Sequence, residues 1–327
     1  MSHRTLAALL VASVVSVIVP RAGAQGQCVP YQADPRLEPF DAHVPSEWTA
    51  ADALITYSSH LTPDDDSTKY RMWVFPWTEI NGPGGFGNGC SDRDYHLQPS
   101  AVATGSGVLV RTGDSATSDL IFTAGHVLRH PDQTFFQECN VAPGSIAVIF
   151  GFGNFLPEQW QVTCDPVAGN CWVLVNKDDV YFCVKQWDGC TTTTCPGNTD
   201  WAVGQLDRSV TDRIPMPIKR SATPLPDTHV TIVGHPNSIP MKVERVQLPS
   251  PGPTGNYFST GHVLFHSSGS MVIDEVTGEV IGTVRSGGHL VGVACDPPPD
   301  TICHREDFAG ASGVEAVPSY LAAGYIP

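Results

Sequence analysis

The chain contains 327 residues, of which 41% are hydrophobic, together with 31 Gly and 28 Pro. Its formal net charge of −15 at pH 7 argues against nucleic acid as a partner, because neutralising phosphates requires clustered Lys and Arg. Apolar residues occur in short runs broken by Gly, Pro, Asn and Asp, a pattern that is typical of strands rather than long helices. We therefore predict a large all-β protein with a sizeable core.

The first 24 residues have the pattern of an export signal. Arg4 precedes an apolar run over residues 6–19, and Ala-Gly-Ala at 22–24 forms a cleavage site of small residues. The run is shorter than the roughly 20 apolar residues that a membrane-spanning helix needs. We therefore predict a signal peptide over residues 1–24, cleavage before Gln25, and a secreted protein, extracellular or periplasmic, with no membrane contact after signal removal.

Residues 25–95 are rich in Pro, Gly and acidic residues and contain one apolar, strand-like piece at 72–75. They are interpreted either as a pro-segment that is removed during maturation or as a permanent extension, and the sequence leaves both open. The acidic run 64–66 offers the oxygen ligands that calcium prefers, but a solvated loop or helix start is the simpler interpretation. The main domain is then predicted to occupy residues 96–327.

Three short segments of the main domain carry the residues of a nucleophilic site. An apolar strand over 120–122 leads into Thr-Ala-Gly-His126, where small residues let the backbone turn beside the histidine. Asp200 directly precedes an apolar strand, and residues 267–270 read Ser-Ser-Gly-Ser. A serine hydroxyl becomes a useful nucleophile when an imidazole takes its proton and a carboxylate orients that imidazole. The segments predict His126 as the base, Asp200 as the orienting carboxylate and a serine of the turn as the nucleophile.

Other residues compete for these roles. Asp207 is followed by a basic residue and is better interpreted as a surface residue at a strand end, and Asp188 is a more distant alternative. The nucleophile is to be chosen among Ser267, Ser268 and Ser270. His130 stands four positions after His126, but the glutamate of a metalloprotease motif is absent, so no metal site is predicted there.

The order His, Asp, Ser is that of the chymotrypsin arrangement. With Thr123-Ala124-Gly125-His126, Asp200-Trp201-Ala202 and Ser268-Gly269-Ser270, the chain resembles trypsin-like (chymotrypsin-fold) serine peptidases, in particular the bacterial glutamyl-endopeptidase-like branch. The resemblance spans residues 97–325 and implies two packed six-stranded antiparallel β-barrels with an N-terminal extension. It implies strands at residues 105–110, 230–236, 271–274 and 279–284, of which the last two form a hairpin.

The resemblance implies that Ser268 is the nucleophile, because the nucleophile of the family is followed by Gly and then by a small residue. It also implies roles for the residues around it. The backbone N–H groups of Ser268 and His266 would form the oxyanion hole, although the family usually has glycine at the position of His266. The base of the primary pocket holds no acidic residue, which disfavours cleavage after Lys or Arg and favours acidic or small uncharged residues. In animal trypsins a freed N-terminus pairs with an aspartate just before the nucleophile. This chain has Ser267 at that position, so we expect this activation switch to be absent. The implied pocket residues are His262, Val263, Val284, Arg285, Ser286 and Gly287.

Ten cysteines follow the predicted cleavage site, and an even set in an exported chain indicates disulfides. Three pairs are close enough in sequence to staple loops, which leaves four cysteines for longer links. The Cys-x-x-Cys motif of structural zinc sites does not occur, so zinc is not predicted. The predicted pairs are Cys164–Cys171, Cys190–Cys195 and Cys295–Cys303, and the remaining cysteines are Cys28, Cys90, Cys139 and Cys183.

The resemblance implies a secreted, monomeric serine endopeptidase that hydrolyses protein or peptide substrates through an acyl-enzyme and needs neither a metal ion nor an organic cofactor. Two alternatives stay open. The departure at His266 is compatible with a catalytically impaired pseudo-peptidase that acts as a binding protein. An esterase with the same three residues is less favoured, because His266 and Ser270 replace the glycines of the Gly-x-Ser-x-Gly elbow.

Overall fold

The structure is a computed structural model, and the predicted signal peptide over residues 1–24 lies outside the residues that it describes. The described residues are 28–30, 44–75, 99–111, 113–129, 138–153, 162–165, 167–189, 200–221, 228–248, 257–259, 267–286, 301–303 and 314–326.

Strands dominate the described residues, and the few helices are short, so the all-β prediction is confirmed. The strands are β1 (Cys28–Pro30), β2 (Asp52–Tyr57), β3 (Leu61–Pro63), β4 (Lys69–Phe75), β5 (Ser100–Ala101), β6 (Ala103–Arg111), β7 (Ser118–Thr123), β8 (Ile146–Phe150), β9 (Thr163–Cys164), β10 (Cys171–Asn176), β11 (Val180–Asp188), β12 (Ala202–Val210), β13 (Met216–Pro217), β14 (Thr228–Gly234), β15 (Lys242–Leu248), β16 (Tyr257–Ser259), β17 (Met271–Asp274), β18 (Val280–Ser286), β19 (Thr301–Cys303) and β20 (Val314–Pro318). The α-helices are α1 (Ser46–Ala50) and α2 (Glu138–Val141), and the 3-10 helices are Ser58–His60, Gly125–Leu128, Lys177–Asp179, Pro236–Ser238, Ser319–Leu321 and Ala323–Tyr325.

Six antiparallel strands close into a barrel in the order β6-β2-β8-β11-β12-β7, because β7 pairs again with β6. The short strand β13 adds to β6 in parallel. All five residues of β8 are buried, because one face of the strand packs inside the barrel and the other packs against a separate sheet. This explains why the segment reads as a continuous apolar run rather than an alternating one. One of the two predicted six-stranded barrels is thus confirmed.

The second antiparallel sheet also has six strands, in the order β15-β14-β17-β18-β20-β16. The Cα atoms of its edge strands β15 and β16 approach within 8 Å, but no ladder joins these strands in the part of the chain that the structure describes. The prediction of a second closed barrel is therefore corrected to an open six-stranded sheet over these residues. The predicted hairpin is confirmed, since β17 pairs with β18 and Gly278 adopts a φ of +70° in the connecting turn.

The predicted extension over residues 25–95 contributes a strand to the barrel. Strand β2 belongs to the predicted extension, yet it lies inside the barrel between β6 and β8, with Leu54 opposite Ser106 on one side and Ile149 on the other. Removing β2 would leave the hydrogen-bonding edges of both neighbours unpaired. The ladders of β2 therefore favour a permanent segment over a pro-segment that ends at residue 95. The predicted apolar piece at 72–75 lies in β4, within a five-stranded sheet of β3, β4, β5, β9 and β10.

A single apolar cluster joins the barrel to the second sheet. It includes Val108 and Phe122 of the barrel together with Val233, Met271 and Val317 of the second sheet, all fully buried. Because burial of apolar surface is the main force that stabilises such an interface, the two sheets are held face to face. The segments that follow β7 and precede β17 lie at this junction.

Two disulfides occur among the described residues. The bond between Cys164 and Cys171 confirms one predicted pair and joins β9 to β10. The bond between Cys139 and Cys183 ties α2 to β11, and both cysteines belong to the set predicted to form longer links. The predicted pairs Cys190–Cys195 and Cys295–Cys303 lie outside the residues whose side chains the structure describes. In backbone register, Cys28 of β1 stands opposite Cys303 of β19.

Lys242 is an unusual residue at the start of β15, because its ammonium group is buried. Its Nζ donates to the carbonyl oxygens of Pro240 at 2.9 Å and Met241 at 3.4 Å. Burial lowers the pKa of Lys242 to about 7, since the charged form loses hydration. The unfolded chain would hold this proton up to a pKa of about 10.4, so the free energy of unfolding should rise as pH increases between these two values.

We therefore expect the variant Lys242→Met to lose this pH dependence. The stability of the wild type relative to the variant should increase as pH is raised from about 7 towards 10. In this range the folded wild type holds Lys242 neutral, whereas protonation of Lys242 favours the unfolded chain less and less as pH rises. Thermal unfolding midpoints of both proteins over this pH range provide the measurement. A constant difference between the two midpoints would show that Lys242 does not titrate in this way.

Candidate active site

His126 is presented by the junction between β7 and the 3-10 helix Gly125–Leu128. The neighbouring Val127 and Leu128 are buried and anchor this turn in the barrel core, whereas the His126 side chain is 39% exposed. The local sequence explains the arrangement, because apolar strand residues precede the turn and small residues allow it to be tight. His126 is thus an accessible imidazole on a rigid support.

Asp200 lies beside His126 because β12 pairs with β7, with Ala202 opposite Thr123. The carboxylate is buried, and both of its oxygens face the histidine: the backbone N–H of His126 donates to Oδ1 at 2.9 Å, and ring Nδ1 lies 2.8 Å from Oδ2. A carboxylate can only accept, so the proton of the neutral ring is assigned to Nδ1. This leaves the lone pair of Nε2 available to accept a proton from another group.

The competing aspartates have other partners. Asp207 accepts a hydrogen bond from the backbone N–H of Phe182 at 3.0 Å and pairs with Arg208 at 3.3 Å. Asp188 accepts from Nε2 of Gln186 at 2.9 Å. The structure therefore brings Asp200 to His126 and places Asp207 in a different contact.

Ser268 lies on a tight turn that enters β17. The backbone N–H of Ser270 donates to the carbonyl oxygen of Ser267 at 2.9 Å, and Gly269 adopts a φ of +84°. Ser267 and Ser270 are buried, whereas Ser268 is partly exposed. Of the three serines, Ser268 is therefore the one that is partly exposed to solvent.

The turn is held between the two sheets. The carbonyl oxygen of Ser268 accepts from the backbone N–H of Ser106 in β6 at 2.7 Å, and the N–H of Gly269 donates to Val284 in β18 at 2.7 Å. Gly105 permits this approach, because a Cβ atom there would stand 2.5 Å from the Ser268 carbonyl oxygen. The barrel that carries the histidine is thus bonded directly to the candidate nucleophile turn.

The Ser268 hydroxyl is bonded to a backbone carbonyl group. Its Oγ donates to the carbonyl oxygen of Arg285 at 3.2 Å, and among the described contacts no hydrogen bond joins Oγ to the His126 ring. Hydrogen bonds between catalytic groups are often absent or long before a substrate binds. The arrangement therefore has the carboxylate and histidine in contact, with the serine hydroxyl bonded to a backbone carbonyl instead.

Arg285, a predicted pocket residue, contacts two parts of this site. Its carbonyl oxygen receives the Ser268 hydroxyl, and its Nε lies 3.4 Å from Oδ2 of Asp200. No sequence pattern predicts this second contact, because it depends on how the second sheet docks on the barrel. Val284, also a predicted pocket residue, is buried in an apolar cluster of the second sheet with Val230 and Ile232.

The other predicted site residues are either placed by their backbone alone or lie outside the described residues. Ser286 is the last residue of β18. The predicted oxyanion donor His266 and the pocket residues His262, Val263 and Gly287 lie outside the described residues.

The acidic run 64–66 forms an ion-paired turn. The guanidinium of Arg71 donates to Asp64 at 2.5 Å and to Asp65 at 3.1 Å, and the Asp66 carboxylate accepts from the backbone N–H of Thr68 at 3.0 Å. The hydrogen bond from Arg71 holds the pKa of Asp64 below its usual value.

Across the described ranges, no cluster of three His, Cys, Asp or Glu side chains is placed to hold a metal ion. No helix in those ranges has the length and apolarity to span a bilayer.

Comparisons with known proteins give structural likeness only. No protein-family model and no curated protein sequence matches the chain. Similar solved structures include human heparin binding protein, with 10% identity over 86% of this chain and 92% of that chain at a TM-score of 0.46. They also include a Glu endopeptidase, with 14% identity over 68% of this chain and 84% of that chain at a TM-score of 0.42. At these identities and TM-scores, the likeness assigns neither an activity nor a substrate to this chain.

Proposed function

We propose that the protein is a serine endopeptidase that hydrolyses protein or peptide substrates with His126, Asp200 and Ser268. The observation that carries the proposal is the buried Asp200 carboxylate, which meets the backbone N–H and the ring Nδ1 of His126. This contact leaves Nε2 as the nitrogen that can take a proton. Ser268, the partly exposed serine of the turn before β17, is proposed to supply the nucleophile.

In the proposed reaction, the Ser268 hydroxyl leaves the Arg285 carbonyl and turns to Nε2 of His126. His126 takes the hydroxyl proton as Oγ attacks the peptide carbonyl carbon, and Asp200 stabilises the resulting imidazolium. Backbone N–H groups of Ser268 and His266 are proposed to donate to the oxyanion. His126 then protonates the leaving amine, and water hydrolyses the acyl-enzyme by the same route.

The substrate preference is proposed from the pocket residues. Acidic or small uncharged side chains remain the favoured class, because the implied pocket base carries His262 rather than an acid. Arg285 is less free to attract an acidic side chain than its position in the sequence suggests, because its Nε faces Asp200. This contact favours small uncharged side chains within the proposed class.

Export is part of the proposal. The chain is proposed to carry a signal peptide over residues 1–24 and to act outside the cytoplasm as a monomer. The two disulfides, Cys139–Cys183 and Cys164–Cys171, are compatible with an oxidising compartment.

Covalent labelling with a fluorophosphonate tests the proposed nucleophile. We expect one modified residue, Ser268, when the folded wild type is labelled and mapped by mass spectrometry, because only an activated serine reacts at a useful rate. Labelling and peptide hydrolysis should both disappear in Ser268→Ala. The matched control is Ser115→Ala, which removes an exposed serine hydroxyl that donates to the carbonyl oxygen of Thr117 and should leave both unchanged.

A binding protein built on the same fold is the second candidate. The hydrogen bond from Ser268 Oγ to the Arg285 carbonyl favours it, because the hydroxyl is not engaged by the base. Absence of labelling in a well-folded wild type would support this candidate and reject the peptidase. Labelling at Ser268 with turnover of esters but not of peptides would indicate an esterase instead.

A further inference from the structure

A second His–Asp contact, between Asp52 and His235, joins the barrel to the second sheet. Asp52 begins β2 of the barrel, and His235 follows β14 of the second sheet. Oδ2 of Asp52 lies 3.0 Å from Nε2 of His235, and both side chains are excluded from solvent. An isolated buried carboxylate is very costly, so the buried Asp52 side chain depends on its contact with His235.

The contact is connected to the nucleophile turn through Ser106. The backbone N–H of His235 donates to Ser106 Oγ at 2.9 Å, and Ser270 Oγ lies 3.4 Å from the same oxygen. The backbone N–H of Ser106 donates to the Ser268 carbonyl, and the Ser106 carbonyl accepts from Thr123 Oγ1 at 2.6 Å. Ser106 therefore joins the strand that leads to His126, the turn that carries Ser268, and the His235 loop.

The hydrogen-bonding pattern of His235 limits where its protons can be. Nδ1 lies 3.1 Å from the carbonyl oxygen of Ile239, which can only accept, so Nδ1 carries a proton. One further proton can then be shared between Nε2 and the Asp52 carboxyl group. Burial raises the pKa of Asp52 and outweighs the opposing effect of His235, which favours the proton residing on the carboxyl group.

We propose that Asp52 and His235 are positioning residues for Ser268, acting through Ser106 by the contact between the Asp52 side chain and Nε2 of His235. The catalytic part of this inference rests on the proposed peptidase function, whereas the ordering of the turn does not. It gives the N-terminal segment a role in the site, because Asp52 comes from the part of the chain that was predicted to be an extension. Loss of the contact should loosen residues 267–270 and displace Ser268 from His126.

Three variants of the full chain test the proposal. Asp52→Ala removes the partner of Nε2, and Asp52→Asn keeps one, because an amide N–H can still donate to Nε2. Met72→Ala is the control, since this fully buried residue of β4 lies in the separate apolar cluster and its loss lowers stability without touching Ser106. Each variant is compared by hydrogen exchange of residues 267–270, by the fluorophosphonate labelling rate and by the thermal unfolding midpoint.

We expect Asp52→Ala to accelerate exchange at the N–H groups of Gly269 and Ser270 and to slow labelling by about 10- to 100-fold, because small displacements of reacting groups have effects of this size. Asp52→Asn should stay close to the wild type in both measurements. Met72→Ala should lower the unfolding midpoint without altering either. For peptide hydrolysis, Asp52→Ala should reduce kcat more than it changes KM.

Two results would overturn the proposal. One is equal exchange at residues 267–270 in Asp52→Ala and Met72→Ala, and the other is an Asp52→Asn variant as impaired as Asp52→Ala. Wild-type protein that does not label at all would reject the peptidase function, but the exchange comparison would still decide whether Asp52 and His235 order the turn.

Discussion

Replacing Asp200 with Asn is expected to reduce turnover by about 10⁴-fold while the fold is retained, the size of effect found when the orienting aspartate of such a triad is changed to asparagine. The reason lies in the two hydrogen bonds that this carboxylate receives. The backbone N–H of His126 donates to one oxygen, so the Asn carbonyl oxygen should take that position and its NH₂ group should face Nδ1. Nδ1 must then accept, which moves the ring proton to Nε2 and blocks uptake of the Ser268 proton.

The measurement is kcat on a peptide substrate together with the fluorophosphonate labelling rate, each at a temperature where the variant is folded. Asp207→Asn is the matched control, because Asp207 lies on the same strand, β12, but accepts from the Phe182 N–H instead. A loss of less than tenfold in Asp200→Asn, or an equal loss in Asp207→Asn, would contradict the proposed role of Asp200.

Replacing Gly269 with Ala should strongly destabilise the protein and abolish labelling of Ser268. Gly269 has a φ of +84°, and a Cβ atom there would stand 1.9 Å from the Ser106 carbonyl oxygen and 2.2 Å from Thr123 Oγ1. Overpacking of a buried site costs about 1–3 kcal/mol. The left-handed backbone conformation adds about 1–2 kcal/mol for a residue with a side chain. To accommodate the Cβ atom, the backbone at Ser106 and strand β7 would both have to shift. The turn therefore cannot keep its position between the two sheets.

Gly278→Ala separates these two causes. Gly278 also has a positive φ, of +70°, but no atom lies within 4 Å of the position that its Cβ would occupy. We therefore expect Gly278→Ala to carry only the conformational cost and to label normally. Denaturant unfolding of both variants, with labelling measured in parallel, provides the comparison. Similar losses of stability in the two variants would show that the close approach to Ser106 is unimportant.

Arg285 contacts two of the three proposed catalytic residues, Asp200 and Ser268. Its Nε faces the Asp200 oxygen that also meets His126, and its carbonyl oxygen holds the Ser268 hydroxyl. The guanidinium therefore belongs to the electrostatic surroundings of the carboxylate rather than to the pocket alone. In Asp200→Asn, the same guanidinium would face a neutral side chain. Part of the expected loss of turnover therefore arises from the lost charge pairing with Arg285, which belongs to the second sheet.

The sequence by itself determined the features that depend on neighbouring residues. Small residues beside His126, the Ser-Ser-Gly-Ser turn and the β17–β18 hairpin are local patterns, and local patterns reflect backbone preferences that are already present in short segments. The Cys164–Cys171 disulfide was predictable for the same reason, because its cysteines are 7 residues apart. The all-β class followed from the short apolar runs.

Only the tertiary structure decided the features that depend on contacts between distant segments. Strand β2 was assigned to an extension because its sequence does not specify its partners, yet both of its ladders join it to strands far along the chain. The contact of Asp52 with His235 and that of Arg285 with Asp200 bring together residues separated by long stretches of sequence. Such contacts form when two sheets bury their apolar faces against each other, and no periodicity within either segment encodes which polar groups will then meet.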